Sequence, residues 1–165
     1  MKSKLFSRIG FCTDFSENAD EAFAVALEMA ATFGAAMEII HITANLMHSP
    51  PVHTTYMPVE YDPEFAEELS RAAMKSIEEK YVSRLPEGMH HNVNVVSGYA
   101  ATEILRLAGE KQLDLLVMGS HGLTGLAHVL FGSTAERIVR KAGCSVLTVR
   151  HKSSRTSPLV SAATP

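Results

Sequence analysis

The feature that most constrains this chain is a regular alternation of short apolar runs with segments of helical periodicity. Such alternation predicts a parallel β-sheet covered on both sides, because each strand–helix–strand crossover places its helix on a face of the sheet. Right-handed crossovers then limit the topology to a few doubly wound strand orders. The sequence predicts strands over 7–12, 37–43, 93–97, 113–118 and 145–149.

The helices between these strands have recognisable ends. Ser16 is the expected N-cap of the first helix, and Gly34 is its expected C-terminal stop. Residues from Phe65 to Tyr81 are apolar at every fourth position, which predicts a second helix ending near 86–88. A third helix carries Ile104, Leu105 and Ala108, and a fourth spans about 133–141.

Length and composition indicate one domain of ordinary size over 1–150. The tail, 151–165, is rich in Ser, Thr and Pro, and we expect it to be disordered. The segment 45–62 contains three prolines and has no period, which is typical of functional, interfacial or mobile loops.

Charge and cysteine content exclude several classes of protein. Fifteen Lys and Arg against 18 Asp and Glu give a formal net charge of −3, so we expect no nucleic-acid partner. No apolar run approaches the roughly 20 residues that span a bilayer, so we expect no membrane segment. Cys12 and Cys144 form neither a disulfide framework nor a metal motif, which makes the reducing cytoplasm the expected compartment.

A glycine-rich loop after the fourth strand is the clearest functional signal. Gly119 and Gly122 follow the strand, where a missing Cβ permits positive φ and close approach of a ligand to backbone N–H groups. The run 132–134 (Gly-Ser-Thr) precedes a helix, whose N-terminal N–H groups suit a phosphate. The loop contains neither a Walker lysine motif nor the G-x-G of a dinucleotide fingerprint.

This loop resembles a family motif. Gly119-x-x-Gly122, nine residues, then Gly132-Ser133 is similar to the G-2x-G-9x-G-[S/T] motif of the universal stress protein (UspA-like) family, in its ATP-binding branch. The elbow 12–16 (CTDFS) looks like that family's first-strand turn. The segments 98–108, 114–122 and 132–150 extend the resemblance, which covers residues from about 4 to 150.

The resemblance implies a single-domain, doubly wound, five-stranded parallel sheet of order 3-2-1-4-5, Rossmann-like in architecture. It implies a ligand at the switch between strands 1 and 4, and homodimers joined through Ser145 to Arg150. The expected ligand is ATP, with ADP and AMP as alternatives, accompanied by Mg²⁺ or Mn²⁺ and with no metal site of the protein's own. Carried over by position, the expected nucleotide contacts are Thr13, Asp14, Ile42, Met118, Gly119, His121, Gly122, Gly132, Ser133 and Thr134.

One departure from the family pattern bears on affinity. The segment 119–131 contains no Lys or Arg, although many relatives carry a cation there, so only His121 and His128 supply side-chain charge. This motivates the hypothesis that nucleotide affinity rises as pH falls through the histidine range.

Several residues have simpler local interpretations beside the functional ones. Asp14 is either a ribose ligand or a cap of the first helix. His41 is interpreted as locally bonded, and Cys12 as an inert buried thiol. The segment 45–62 also contains possible ligands of a soft metal, but their irregular spacing disfavours a metal site. These residues are Met47, His48, His53 and Met57.

Three functions are weighed. The leading hypothesis is a nucleotide-dependent stress-response switch, in which ligand orders the loops 122–131 and 45–62. An enzyme, either a slow ATPase or a phosphoryl or nucleotidyl transferase, is the alternative, although no nucleophile paired with a base is visible from sequence. The third is a dimeric interaction module with a non-binding pocket.

Overall fold

A parallel sheet organises the computed structural model of the protein, which describes residues 5–44, 62–121 and 132–150. Its order, β3-β2-β1-β4-β5, confirms the predicted doubly wound topology, with β1 and β4 adjacent at the switch point. The predicted tail and the loops 45–61 and 122–131 lie outside the described residues. The strands are β1 (Arg8–Thr13), β2 (Ala36–Ala44), β3 (His91–Gly98), β4 (Leu115–Gly119) and β5 (Ser145–Val149).

Four α-helices connect the strands: α1 (Glu17–Phe33), α2 (Pro63–Lys80), α3 (Ala100–Glu110) and α4 (Ser133–Lys141). Within the three described ranges, none of the helices is long and apolar enough to cross a membrane.

The ends of α1 are as predicted. The Ser16 hydroxyl accepts a hydrogen bond from the Ala19 N–H at 3.3 Å, which caps the first turn. Gly34 adopts left-handed φ 59° and ψ 37°, a conformation that costs glycine least, and its N–H bonds the last carbonyls of the helix.

Two predicted boundaries were wrong. The second helix was expected to reach 86–88, but α2 ends at Lys80 and a short 3₁₀ turn follows over Val82–Arg84. The fourth strand was expected from Leu113, but the Leu113 N–H donates to the Ala108 carbonyl at 2.9 Å and so closes α3. That N–H is therefore not available to the sheet, and β4 begins at Leu115.

The sheet separates two cores of different composition. Because side chains alternate along a strand, Ile9 and Phe11 point to one side and Cys12 to the other. The aromatic face, covered by α1 and α2, is built around Ile9, Phe11, Phe23, Ile77 and Tyr81. The pocket face, covered by α3 and α4, is built around Cys12, Ile40, Ala101, Ile104, Leu116, Met118, Ala135 and Ile138.

Candidate functional site

A cavity of about 280 Å³ lies on the pocket face, at the carboxyl ends of β1, β2 and β4. This is where an open parallel sheet binds ligands, because the crossovers to either side leave a crevice at the switch point. Gly122 lies outside the described residues. The other predicted site residues all line the cavity: Thr13, Asp14, Ile42, Met118, Gly119, His121, Gly132, Ser133 and Thr134.

Six lining residues were not among the predicted contacts. Cys12, Ile40 and Ala135 belong to the pocket-face core, and Ser120 lies between two predicted residues. Ala100 and Ile104 come from the first turns of α3, a helix to which sequence analysis gave no role in the site. Their spacing of four places them on one side of the helix, and α3 starts at the same sheet edge as the glycine loop. The location of α3 at this edge of the sheet is the signal that could have identified Ala100 and Ile104 as lining residues.

The elbow after β1 presents Asp14 to the cavity. One Asp14 carboxylate oxygen, Oδ1, accepts hydrogen bonds from the Ser16 N–H at 3.1 Å and the Ser16 hydroxyl at 2.6 Å. Ser16 itself caps α1. Asp14 therefore orients the capping residue rather than capping the helix directly, and it lines the cavity as well. The interpretation of Asp14 as the cap itself was therefore wrong, and its role as a ribose ligand stays a prediction.

His41 is bonded locally, as predicted. Its Nδ1 lies 2.9 Å from the Thr13 carbonyl oxygen, and its ring centroid is 4.5 Å from that of Phe15. The described part of the chain contains no group of three His, Cys, Asp or Glu placed to hold a metal ion. Met47, His48, His53 and Met57 lie outside it.

Gly119 has a packing role that sequence analysis did not identify, while the predicted close approach of a ligand to its backbone stays a prediction. Its φ is not positive, unlike those of Gly34 and Gly88. A Cβ at this position would lie 2.8 Å from the Asn18 Cβ and 3.0 Å from the Asn18 carbonyl carbon. The missing side chain thus admits the first turn of α1 against the end of β4, and the expectation of positive φ was wrong.

The two ends of the glycine loop are pinned together. The Ser120 N–H donates to the Val149 carbonyl at 2.7 Å, and the Gly132 N–H donates to the Ser120 carbonyl at 2.8 Å. These bonds hold the N-terminus of α4 beside the end of β4. The N-cap is Gly132, which has no side chain to accept from the first turn. The N-terminal amides of α4 and its partial positive charge therefore lie at the cavity.

A nucleophile and a base lie next to each other, which sequence analysis did not detect. Ser120 Oγ is 3.0 Å from His121 Nδ1, and both residues line the cavity. The Ser120 side chain is buried, however, with 3% of the residue exposed. The pair is formed, but the hydroxyl has little access to a ligand in this conformation.

The charges at the described wall are few. Asp14 contributes a carboxylate and His121 an imidazole, and none of the described lining residues is Lys or Arg. Burial raises the pKa of the Cys12 thiol to about 12, with a smaller contribution from Cys144. Because the thiolate is the reactive form, this agrees with an inert Cys12.

Comparison with known proteins gives a consistent family. The model of the Universal stress protein family matches residues 5–150. Universal stress protein MJ0531 of Methanocaldococcus jannaschii is 33% identical over 147 residues, covering 88% of this chain and 83% of that protein. The structure of universal stress protein UspA from Lactobacillus plantarum aligns with TM-score 0.69 at 22% identity, over 88% and 98% of the two chains. A universal stress protein in complex with cAMP aligns with TM-score 0.56 at 23% identity, over 88% and 97%.

Proposed function

The chain belongs to the universal stress protein family, and we propose that it binds an adenine nucleotide in the cavity at the ends of β1 and β4. The observation that carries the proposal is the convergence of three chemically different walls on one cavity. Ile42, Ile104 and Met118 form an apolar wall, Asp14 supplies a carboxylate, and α4 supplies N-terminal amides. These suit the base, the ribose hydroxyls and the phosphates of one ligand.

ATP is the proposed nucleotide, with ADP and AMP as alternatives. The helix end contributes only about 0.3–1 kcal/mol to binding a charge at a solvated position. On the described wall of the cavity, Asp14 is the one carboxylate and His121 the one imidazole, and there is no Lys or Arg. A triphosphate bound there therefore needs a counter-charge that the described wall does not supply. Mg²⁺ or Mn²⁺ bound to the phosphates would supply it. The cAMP held by a protein of the same fold supports the adenine class.

We further propose that nucleotide binding acts as a stress-response switch in a cytoplasmic homodimer. β5 is an edge strand of the sheet, so Ser145 to Arg150 offer a row of backbone groups to a second copy. The two cysteines are free thiols, which fits a reducing compartment.

The direct test is to denature the purified protein and identify released nucleotide by chromatography and mass spectrometry. Stoichiometric ATP, ADP or AMP, together with a melting temperature raised by the same nucleotide, supports the proposal. Asp14→Asn is the site variant and Asp62→Asn, at the N-terminus of α2, is the matched control. Absence of released nucleotide and of any thermal shift with added ATP and Mg²⁺ contradicts the proposal and favours the dimeric interaction module.

Slow ATP hydrolysis is a second candidate, favoured by the Ser120–His121 pair. Phosphate release measured over hours, with His121→Ala and the distant His91→Ala as a matched pair, distinguishes it from simple binding. Turnover lost only in His121→Ala supports hydrolysis. No turnover in the parent protein rules it out.

A further inference from the structure

The elbow that presents Asp14 depends on an unusual backbone conformation. Phe15 has φ 64°, in the left-handed region that disfavours residues with a Cβ. Its ring packs 4.5 Å from the His41 ring and lies parallel to the Tyr81 ring, with centroids 6.3 Å apart. Its N–H donates to the Thr13 hydroxyl at 3.0 Å. The surrounding structure must therefore hold Phe15 in place.

The Thr13 hydroxyl is the first member of a chain of hydrogen bonds. Thr13 Oγ1 lies 2.9 Å from Tyr81 Oη, and Tyr81 Oη donates to Asp20 Oδ1 at 2.7 Å. Since the Tyr81 proton is used by Asp20, the proton between the two hydroxyls belongs to Thr13. The direction is thus set from the Phe15 N–H to Thr13, from Thr13 to Tyr81, and from Tyr81 to Asp20.

Packing fixes the position of the central member. Tyr81 is fully buried, and its ring lies 5.1 Å from Phe11 and 4.9 Å from Phe23. Burial raises the pKa of the Tyr81 phenol, so the group stays protonated and keeps donating. The hydroxyl is therefore a fixed point to which the elbow is attached.

The chain of bonds ends beyond the residues that line the cavity. Asp20 lies in α1, where its second oxygen is 3.5 Å from Lys80 Nζ at the end of α2. Tyr81, Asp20 and Lys80 are all outside the described cavity wall, which lies on the opposite face of the sheet.

We propose that Tyr81 is a positioning residue for the nucleotide site: through the Thr13 hydroxyl it holds the Phe15 backbone in its left-handed conformation, and so it aims Asp14 into the cavity. The effect on nucleotide binding rests on the proposed function, whereas the effect on the conformation of the elbow does not. Without the phenolic oxygen, the Thr13 hydroxyl turns to another acceptor and the Phe15 N–H loses its fixed partner. The elbow then relaxes, and Asp14 is presented in several orientations.

Tyr81→Phe tests the proposal, because it removes the oxygen and leaves the ring packing. In the ligand-free protein we expect amide hydrogen exchange at Phe15 to become about 5- to 10-fold faster. Titration with ATP and Mg²⁺ is expected to show Kd weakened about 3- to 10-fold. Ile77→Val, which trims a fully buried side chain in the same core, four residues before Tyr81, is the stability-matched control. It is expected to lower the melting temperature while leaving both readouts within about 2-fold of the parent protein.

Variants of Thr13 supply the rescue. Thr13→Ser keeps the hydroxyl and is expected to keep slow exchange at Phe15, whereas Thr13→Val is expected to behave like Tyr81→Phe. Combining Thr13→Val with Tyr81→Phe should add little further effect, because both break one chain of bonds.

Unchanged Phe15 exchange in Tyr81→Phe overturns the inference, as does an equal loss of affinity in Ile77→Val. If the parent protein binds no nucleotide, the proposed function and the nucleotide part of this inference fall together. The exchange measurement still decides the role of Tyr81 in the elbow.

Discussion

The two faces of the sheet share five strands but differ in the size of the side chains that pack against them. On the aromatic face, Phe11, Phe23 and Tyr81 meet with ring centroids 4.9–5.3 Å apart and fill the space beneath α1 and α2. On the pocket face, the residues nearest the ends of β1 and β4 include Cys12, Ala100 and Ala135, whose side chains are too small to fill theirs. The cavity lies where small residues replace aromatic ones. Topology therefore places the crevice at the switch point, and small side chains there help to keep it open.

The comparison extends to the polar groups. On the aromatic side, Thr13, Tyr81 and Asp20 form hydrogen bonds with one another. On the pocket side, the Ser133 and Thr134 amides lie at a helix end whose N-cap, Gly132, brings no side chain. The first set is bonded within the protein, and in the proposed function the second donates to the phosphates of the nucleotide.

The largest predicted effect on stability comes from a substitution in the aromatic face. Phe11→Ala removes a fully buried ring between Phe23 and Tyr81, and we expect the free energy of unfolding to fall by about 3–5 kcal/mol. Ile104→Ala, on the wall of the cavity, should cost about 2 kcal/mol, since fewer neighbours surround that side chain. Urea unfolding measures both. Equal losses in the two variants would contradict the distinction between a filled and an open face.

A smaller effect is expected at the end of β4. Gly119→Ala forces a Cβ against the Asn18 backbone of α1, and the free energy of unfolding should fall by about 1–3 kcal/mol. Gly109→Ala is the matched control, because its Cβ meets no atom within 4 Å and the residue is helical. That variant should gain about 0.5–1 kcal/mol. A neutral Gly119→Ala would show that the glycine is not needed for packing.

A larger side chain inside the cavity tests whether the open part of the pocket face binds the ligand. Ala100→Leu extends a side chain from the start of α3 into the cavity, and affinity for ATP with Mg²⁺ should fall about tenfold or more. The control is Ala24→Leu, at an exposed position of α1, where calorimetric titration should give the parent affinity. Unaltered binding in Ala100→Leu would place the ligand elsewhere.

The last predicted effect is an alkaline loss of stability to which both faces contribute. Burial raises the pKa of Cys12 to about 12 and also raises that of Tyr81 above its ordinary range. Each group keeps its proton in the folded state after the unfolded chain has lost it. Stability is therefore full below about pH 8.5 and falls as pH rises beyond it, by up to about 1.4 kcal/mol per pH unit for each ionising group.

Urea unfolding of the reduced protein across this pH range measures the slope. Cys12→Ala should reduce the loss of unfolding free energy that begins near the ordinary thiol pKa of about 8.5. Tyr81→Phe should reduce the loss that begins near the ordinary phenol pKa of about 10. A slope that neither variant changes would assign the alkaline loss to other groups.

Periodicity predicted the strands, and the glycine motif predicted the position of the cavity, because both are local signals. The sheet order came from the family resemblance, since the crossover rule alone left several doubly wound orders open. Sequence reasoning failed where the cause is a long-range contact. Gly119 is explained by Asn18, a residue of a helix about a hundred positions earlier in the chain. The Tyr81 hydroxyl meets Thr13 across 68 positions and Asp20 across 61, and no spacing rule connects such residues. Ile104 was assigned to the third helix without a role in the site, and only the packing of α3 shows that Ala100 and Ile104 line the cavity.

The most direct test of the account follows backbone amide NMR signals while ATP and Mg²⁺ are added. The account predicts shifts at the cavity, at Thr13, Asp14, Gly119, His121 and Ser133, while the core amides of Ala26 and Ile77 on the aromatic face stay in place. Shifts confined to the outer surface of α2 and β3, or no shifts at millimolar nucleotide, would contradict a nucleotide site at the end of β1 and β4.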